Sequence, residues 1–357
     1  MDPACTMLLE GLHRPATLAG RSLADWDGLI RAAHMTKTLG RLSALAEQAQ
    51  VLPEVPGPVR RHLEGALVLV AASQRHVRRE LVRISRIVAG IGVQPILLKA
   101  AAYIASGLPA SVGRSAGDFD LLVPRGQLDL VWERLLAAGW ECRDYSEDDR
   151  RYFREWLHEF PPLRHKYWGG MIDLHHNILP FTDPVRFQVD PLLLASIPIR
   201  DHAAFRMLAP PDMILHGAVH LFRNGDYSKG LRDLSDLDLL VRQFGGQSSF
   251  WDLLFERAHE LRLVAPARVA LECLRRYFET PLPREFEQRL RSSAARAMVH
   301  GAMLRIVDMA IIPRTVKRQD LRLRLARRAL SYFPLPRVRV AFSPLFWKKR
   351  FATADSP

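Results

Sequence analysis

Apolar positions recur with a helical period at both ends of the chain and with short, strand-like runs between them. In residues 1–72, Trp26, Leu29, Ile30 and Ala33 share one helix face. Val51–Pro58, with Pro53, Pro56, Gly57 and Pro58, breaks the pattern. Val77, Leu81, Ile84 and Val88 then recur at helical spacing with Arg78, Arg79, Arg83 and Arg86 between them, and Gly90 and Gly92 end that helix. Beyond the glycines the runs shorten. Pro95–Lys99 predicts a buried strand and Ala100–Ser106 a helix. A loop carrying Gly107, Pro109, Gly113 and Gly117 leads to a second strand, Asp118–Val123, closed by Pro124. Leu128, Val131, Trp132 and Leu135 predict a helix ending at Gly139. Tyr167–His175 predicts a hairpin, with Gly169-Gly170 as a two-residue turn. From Asp190 to about Met309 the signal is helical again, and Pro210-Pro211 opens one helix. These patterns predict an α+β fold: a small mixed β-sheet core flanked by N-terminal and C-terminal helical regions. The expected divisions are a helical region at 1–72, an α/β core at 73–180, a second helical region at 181–312 and a basic tail at 313–357.

Composition narrows the class. With 48% hydrophobic and 25% charged residues, wholesale disorder and collagen-like repeats are excluded. Cys5, Cys142 and Cys273 form no spaced framework, no apolar run has the length of a spanning helix, and the N-terminus lacks a basic segment before an apolar one. A cytoplasmic protein is therefore expected. The net charge of +13 is unevenly placed, because residues 313–357 hold 12 Lys/Arg against only Asp320 and Asp355. The rest of the chain carries 39 basic and 36 acidic groups, so a charge argument for nucleic-acid binding by the whole protein fails. The tail alone, with Phe333, Phe342, Phe346, Trp347 and Phe351 among its cations, suits either a solvated end or an anionic surface, and nucleic acid is a further alternative without a recognisable module.

Candidate chemistry lies in Gly117-Asp118-Phe119-Asp120-Leu121-Leu122-Val123. On a strand, Asp118 and Asp120 project to one face while Phe119, Leu121 and Val123 enter the core. Two adjacent carboxylates repel, and a hard divalent cation relieves them; Mg²⁺, or Mn²⁺ in its place, binds such oxygens together with substrate phosphates. Asp173 alternates with apolar neighbours in Met171-Ile172-Asp173-Leu174-His175 and shares a face with His175. Three such acids on adjacent strands suit in-line phosphoryl or nucleotidyl transfer. An isolated Asp-x-Asp is common at solvated strand ends, and the chain supplies its own contrast. Ser235-Asp236-Leu237-Asp238-Leu239-Leu240-Val241 nearly copies the motif, yet Leu231, Leu234, Leu237 and Val241 keep a helical period. Asp236 and Asp238 then diverge and cannot jointly chelate one ion, while Asp233 or Asp236 is free to pair with Arg223 or Arg232.

Taken together, Leu98-Lys99, Gly113-Arg114, Asp118-x-Asp120 and Ile172-Asp173-Leu174-His175 resemble the uncharacterised bacterial nucleotidyltransferase family of the polymerase-beta-like superfamily, over roughly residues 75–240. The resemblance implies a nucleotidyltransferase core with Asp118, Asp120 and Asp173 as metal ligands and an NTP as donor. It implies also that Lys99 and Arg114 lie near the triphosphate; solvated strand-end and loop salt-bridge roles are the alternatives. The acceptor, whether a small molecule, a peptide or a protein, is left unnamed. One departure stands out: Ala100 occupies the place where the family has Gly after the lysine. Its methyl either hinders close approach of phosphates, which would make the chain a catalytically impaired nucleotide-binding or scaffold protein, or is harmless if the lysine makes the contact.

His175 suits a general base, a phosphate contact or a hydrogen-bonded structural role. Asp212, His216 and His220 recur at i, i+4 and i+8 on one helix face, where packing or capping competes with reaching the cleft. His176 faces away from His175 and is expected to be structural, and Cys142 to be core.

Overall fold

The computed structural model describes residues 2–290 apart from 143, 144, 182, 184 and 224–226, and beyond them only Leu304, Val307 and Ile311. The basic tail at 313–357 lies outside the described residues. Among the described residues, seven short strands form one mixed sheet: β1 (Ile96–Leu97), β2 (Phe119–Leu122), β3 (Trp140–Glu141), β4 (Leu163–His165), β5 (Met171–His175), β6 (Ile197–Pro198) and β7 (Arg206–Met207). They lie in the order β3-β4-β5-β2-β1-β7-β6. At the centre β2 runs parallel to β5 and antiparallel to β1. Helices flank this sheet in sequence on both sides, so the α+β class is the one the patterning predicts.

Before the sheet come α1 (Pro3–His13), α2 (Leu23–Met35), α3 (Leu39–Gln48) and α4 (Gly57–Val88). Ser22 caps α2 in a reciprocal box with Asp25, which satisfies amides that the first turn leaves open. Trp26, Leu29 and Ala33 of α2 are fully buried, as their spacing predicts. Pro58 sits in the first turn of α4, which then runs unbroken for 32 residues, through positions 72 and 73. Its buried stripe includes Val77, Leu81, Ile84 and Val88.

Within the core, α5 (Lys99–Ser106) follows β1 directly, α6 (Leu128–Ala137) follows β2, and α7 (Glu147–Trp156) precedes β4. All four residues of β2 are buried. A central strand with helices against the sheet hides both of its faces, so Leu122 joins Phe119 and Leu121 out of water. The hairpin β4–β5 forms, but not with the expected turn. The His165 amide donates to the Gly170 carbonyl, so four residues, Lys166–Gly169, make the turn. Only Gly169 has a positive φ, at 69°, and Tyr167 lies in the loop instead of in the first strand.

The stretch after Asp190 also departs from expectation. After α8 (Asp190–Ala195) the chain forms β6 and β7, which add to the free side of β1, before helices resume. These strands have two residues each, too few for alternation to register. Pro198 is tolerated because β6 is an edge strand. The helical region then comprises α9 (Pro210–Arg223), α10 (Gly230–Phe244), α11 (Ser248–Glu260), α12 (Val264–Phe278) and α13 (Arg284–Leu290). Buried apolar residues from α1 through α12 belong to one continuous core. Among the described residues no helix is long and apolar enough to cross a membrane.

Candidate active site

The parallel pairing of β2 with β5 puts Asp120 opposite Asp173 and Leu122 opposite His175. Neighbouring strands lie only about 4.8 Å apart, so paired residues of a parallel ladder share a sheet face at close range. Asp118 lies in the bend just before β2, near enough to act electrostatically on Lys99 and Asp173. Register thus brings Asp120 and Asp173 together, and the approach to β2 adds Asp118.

Asp120 is the buried centre of the group. Its Oδ1 accepts from Lys99 Nζ at 3.1 Å and contacts His175 Nε2 at 3.0 Å. Burial works against its charge, but the Lys99 ammonium and the hydrogen bond and charge of His175 outweigh burial and hold the carboxyl well below its ordinary range. Asp173 is the opposite case. Burial, with Asp120, Glu159 and Asp118 nearby, pushes it up to about 7. Its Oδ1 is buried and has no hydrogen-bond partner among the described residues. A carboxylate oxygen left unsatisfied beside three other acids fits a divalent cation, whose charge would replace the missing donor and relieve the repulsion. Asp118, Asp120 and Asp173 therefore have the donor chemistry for a hard metal ion.

Lys99 reaches Asp120 through an unusual backbone. Its φ is +48°, in the left-handed region, at the point where β1 gives way to α5. A non-glycine residue there is strained by roughly 1–2 kcal/mol. Burial lowers the ammonium's pKa, and attraction to Asp120, Asp118 and Asp233 more than restores it. Ala100, the residue that departs from the family pattern, is buried and not among the residues with positive φ. Its conformation thus makes no demand for glycine.

Arg114 stands apart from the aspartates. Its Nε donates to Asp236 on α10 at 2.9 Å and its guanidinium lies 3.8 Å from Asp233. Asp236 also pairs with Arg41 of α3, at 2.8 Å. The second Asp-x-Asp is helical, as its period predicts: Asp238 turns to Arg242 and Thr280, away from Asp236. Arg232 pairs with Asp233, whereas Arg223 binds Asp183.

His216 and His220 of α9 feel the charge of Lys99, and His220 Nδ1 lies 3.8 Å from Asp233. Burial and that charge push His216 down to about 3 and His220 well below its ordinary value, so both imidazoles are neutral. Asp212, in contrast, is held by Arg257 at 2.8 Å. His176, on the opposite face of β5, stacks on Phe181 and borders a cavity of about 500 Å³ with Arg125 and Arg186. Cys142 is half-buried at the edge of the core.

Two residues near the site are invisible to motif reading. Glu159 forms a β-bridge with His175, and its Oε2 lies 3.7 Å from His175 Nδ1. The His158 ring lies tilted against that of His175, with ring centroids 5.6 Å apart. They stand before Pro161-Pro162, where alternation is interrupted, and only the hairpin brings them back along β5.

A mixed sheet thus brings two aspartates from parallel strands to a lysine at a strand end, with helices on either side. The chain belongs to a family described as uncharacterised nucleotidyltransferase, which matches residues 22–279. No curated protein and no solved structure matches it.

Proposed function

We propose that the protein transfers a nucleotidyl group from an NTP to a hydroxyl-bearing acceptor, releasing pyrophosphate. The observation that carries this reading is the register of Asp120 with Asp173, together with the unsatisfied buried oxygen of Asp173. Asp118, Asp120 and Asp173 would hold Mg²⁺, or Mn²⁺ in its place. Bound there, the ion would neutralise phosphate charge and align the donor for in-line displacement. Asp173 would complete the ligand set and help take the acceptor's proton as the acceptor oxygen bonds to the α-phosphorus and the bond to pyrophosphate breaks. Lys99 offers a charge to the donor's phosphates at the start of α5. His175 keeps Asp120 ionised and oriented. Arg114 serves by position: its ion pairs to α10 anchor the loop that leads into Asp118.

The test supplies α-labelled NTPs, Mg²⁺ and cell extract as the source of acceptor. Wild type is expected to transfer label, whereas Asp118→Asn and Asp173→Asn lose about 100-fold or more, the scale on which removing a group that stabilises transition-state charge acts. Transfer that persists unchanged in both variants refutes the reading. NTP binding by calorimetry without turnover on any acceptor would instead favour the impaired or scaffold protein. The tail at 313–357 enters this proposal only as a means of docking to an anionic surface.

A further inference from the structure

We propose that His158, Glu159 and His175 form a second cation site, suited to a borderline divalent transition ion such as Zn²⁺ and separate from the three aspartates. One ligand atom from each of these residues lies within 4.8 Å of the others. Two imidazoles and a carboxylate are a donor set that selects zinc-like ions, whereas Mg²⁺ takes oxygen ligands. Zinc bonds of about 2.0–2.1 Å in tetrahedral geometry bring donors to roughly 3.4 Å of one another.

The backbone holds the three residues together. The Phe160 amide donates to the Leu174 carbonyl at 2.7 Å, and the His176 amide to the His158 carbonyl at 3.0 Å. The segment before β4 therefore runs antiparallel along β5, with Glu159 bridged to His175. A second observation comes from the far side of the ring. Metal-bound histidines characteristically give their other ring N–H to a carboxylate, which fixes tautomer and orientation. His175 has this arrangement: Nδ1 faces Glu159 and Nε2 lies 3.0 Å from Asp120 Oδ1. An ion on Nδ1 makes Nε2 the donor to Asp120, joining the two sites through one imidazole.

The experiment uses the full chain without an affinity tag, stripped with a chelator and titrated with Zn²⁺ against a chromophoric competitor. Wild type is expected to bind one ion per chain. His158→Ala and Glu159→Gln should weaken binding by more than the about 10- to 100-fold that loss of an outer partner costs. Asp118→Asn should keep the stoichiometry, and Co²⁺ should give visible d–d bands of a tetrahedral site in wild type and not in His158→Ala. Circular dichroism establishes that the variants are folded. Absence of stoichiometric Zn²⁺ on wild type, or equal affinity in both ligand variants, overturns the proposal. Because the readout is metal uptake, a failure of nucleotidyl transfer with Zn²⁺ binding intact would sink only the activity.

Discussion

Asp173 is the side chain on which pH and metal dependence should meet. Its native pKa, about 7, stands above the ordinary 3.8, so the folded state binds its proton more tightly than the unfolded chain does. The stability associated with that proton is fully present below the unfolded value and is lost as pH rises toward about 7. Asp173→Asn removes the penalty. It should be more stable than wild type by on the order of 4 kcal/mol at about pH 8, with the difference shrinking as pH falls toward 5. Thermal melts across that range check the sign. Mg²⁺ should raise the melting temperature of wild type at about pH 8 and leave Asp173→Asn unmoved, since the cation substitutes for the proton. These residues were legible in the sequence because strand alternation puts Asp118 with Asp120 and Asp173 with His175, and the register then supplies the rest. Glu159 and His158 were not, because what brings them to His175 is a chain reversal whose path no local pattern encodes.

At the scale of elements, the junction of β1 with α5 decides whether Ala100 impairs the site. The strain falls on Lys99, at φ +48°, and not on the alanine that follows. Ala100→Gly should therefore cost stability, roughly 0.5–1 kcal/mol, without repairing any backbone conflict. Its transfer rate should stay within about threefold of wild type, less than 1 kcal/mol of barrier. A gain of about tenfold would show that the methyl obstructs the donor. Gly113 is the opposite kind of position. Its φ is +63°, and a Cβ there would lie 2.4 Å from both Arg41 Cα and the Gly40 carbonyl oxygen. Gly113→Ala should lose at least about 2 kcal/mol in urea denaturation, because both backbones must move. The longer elements were readable from their period, and the two-residue strands β6 and β7 were not, since a strand that short is defined by its partners.

For the molecule as a whole, Asp236 connects the regions that the sequence separates. It joins Arg41 of α3 and Arg114 of the loop before β2 to α10, and Arg41 in turn donates to the carbonyls of Ala110 and Val112. All three charged groups are buried. Two cations stay dry here because one carboxylate, with Asp233 beside it, answers both. Asp236→Asn keeps the shape and removes the charge, leaving two desolvated guanidinium groups without adequate compensation. The expected loss is about 3–5 kcal/mol, the cost of breaking a buried pair from one side. Asp27→Asn offers the comparison: it removes the same charge from an exposed pair with Arg31, where water already screens the ion pair, and should leave the melting temperature unchanged. If the Asp236 variant also loses label transfer at temperatures where it remains folded, the helical regions position the loop leading to Asp118. Full activity in that folded variant would confine the network to stability and leave the orientation of the aspartates to the sheet alone.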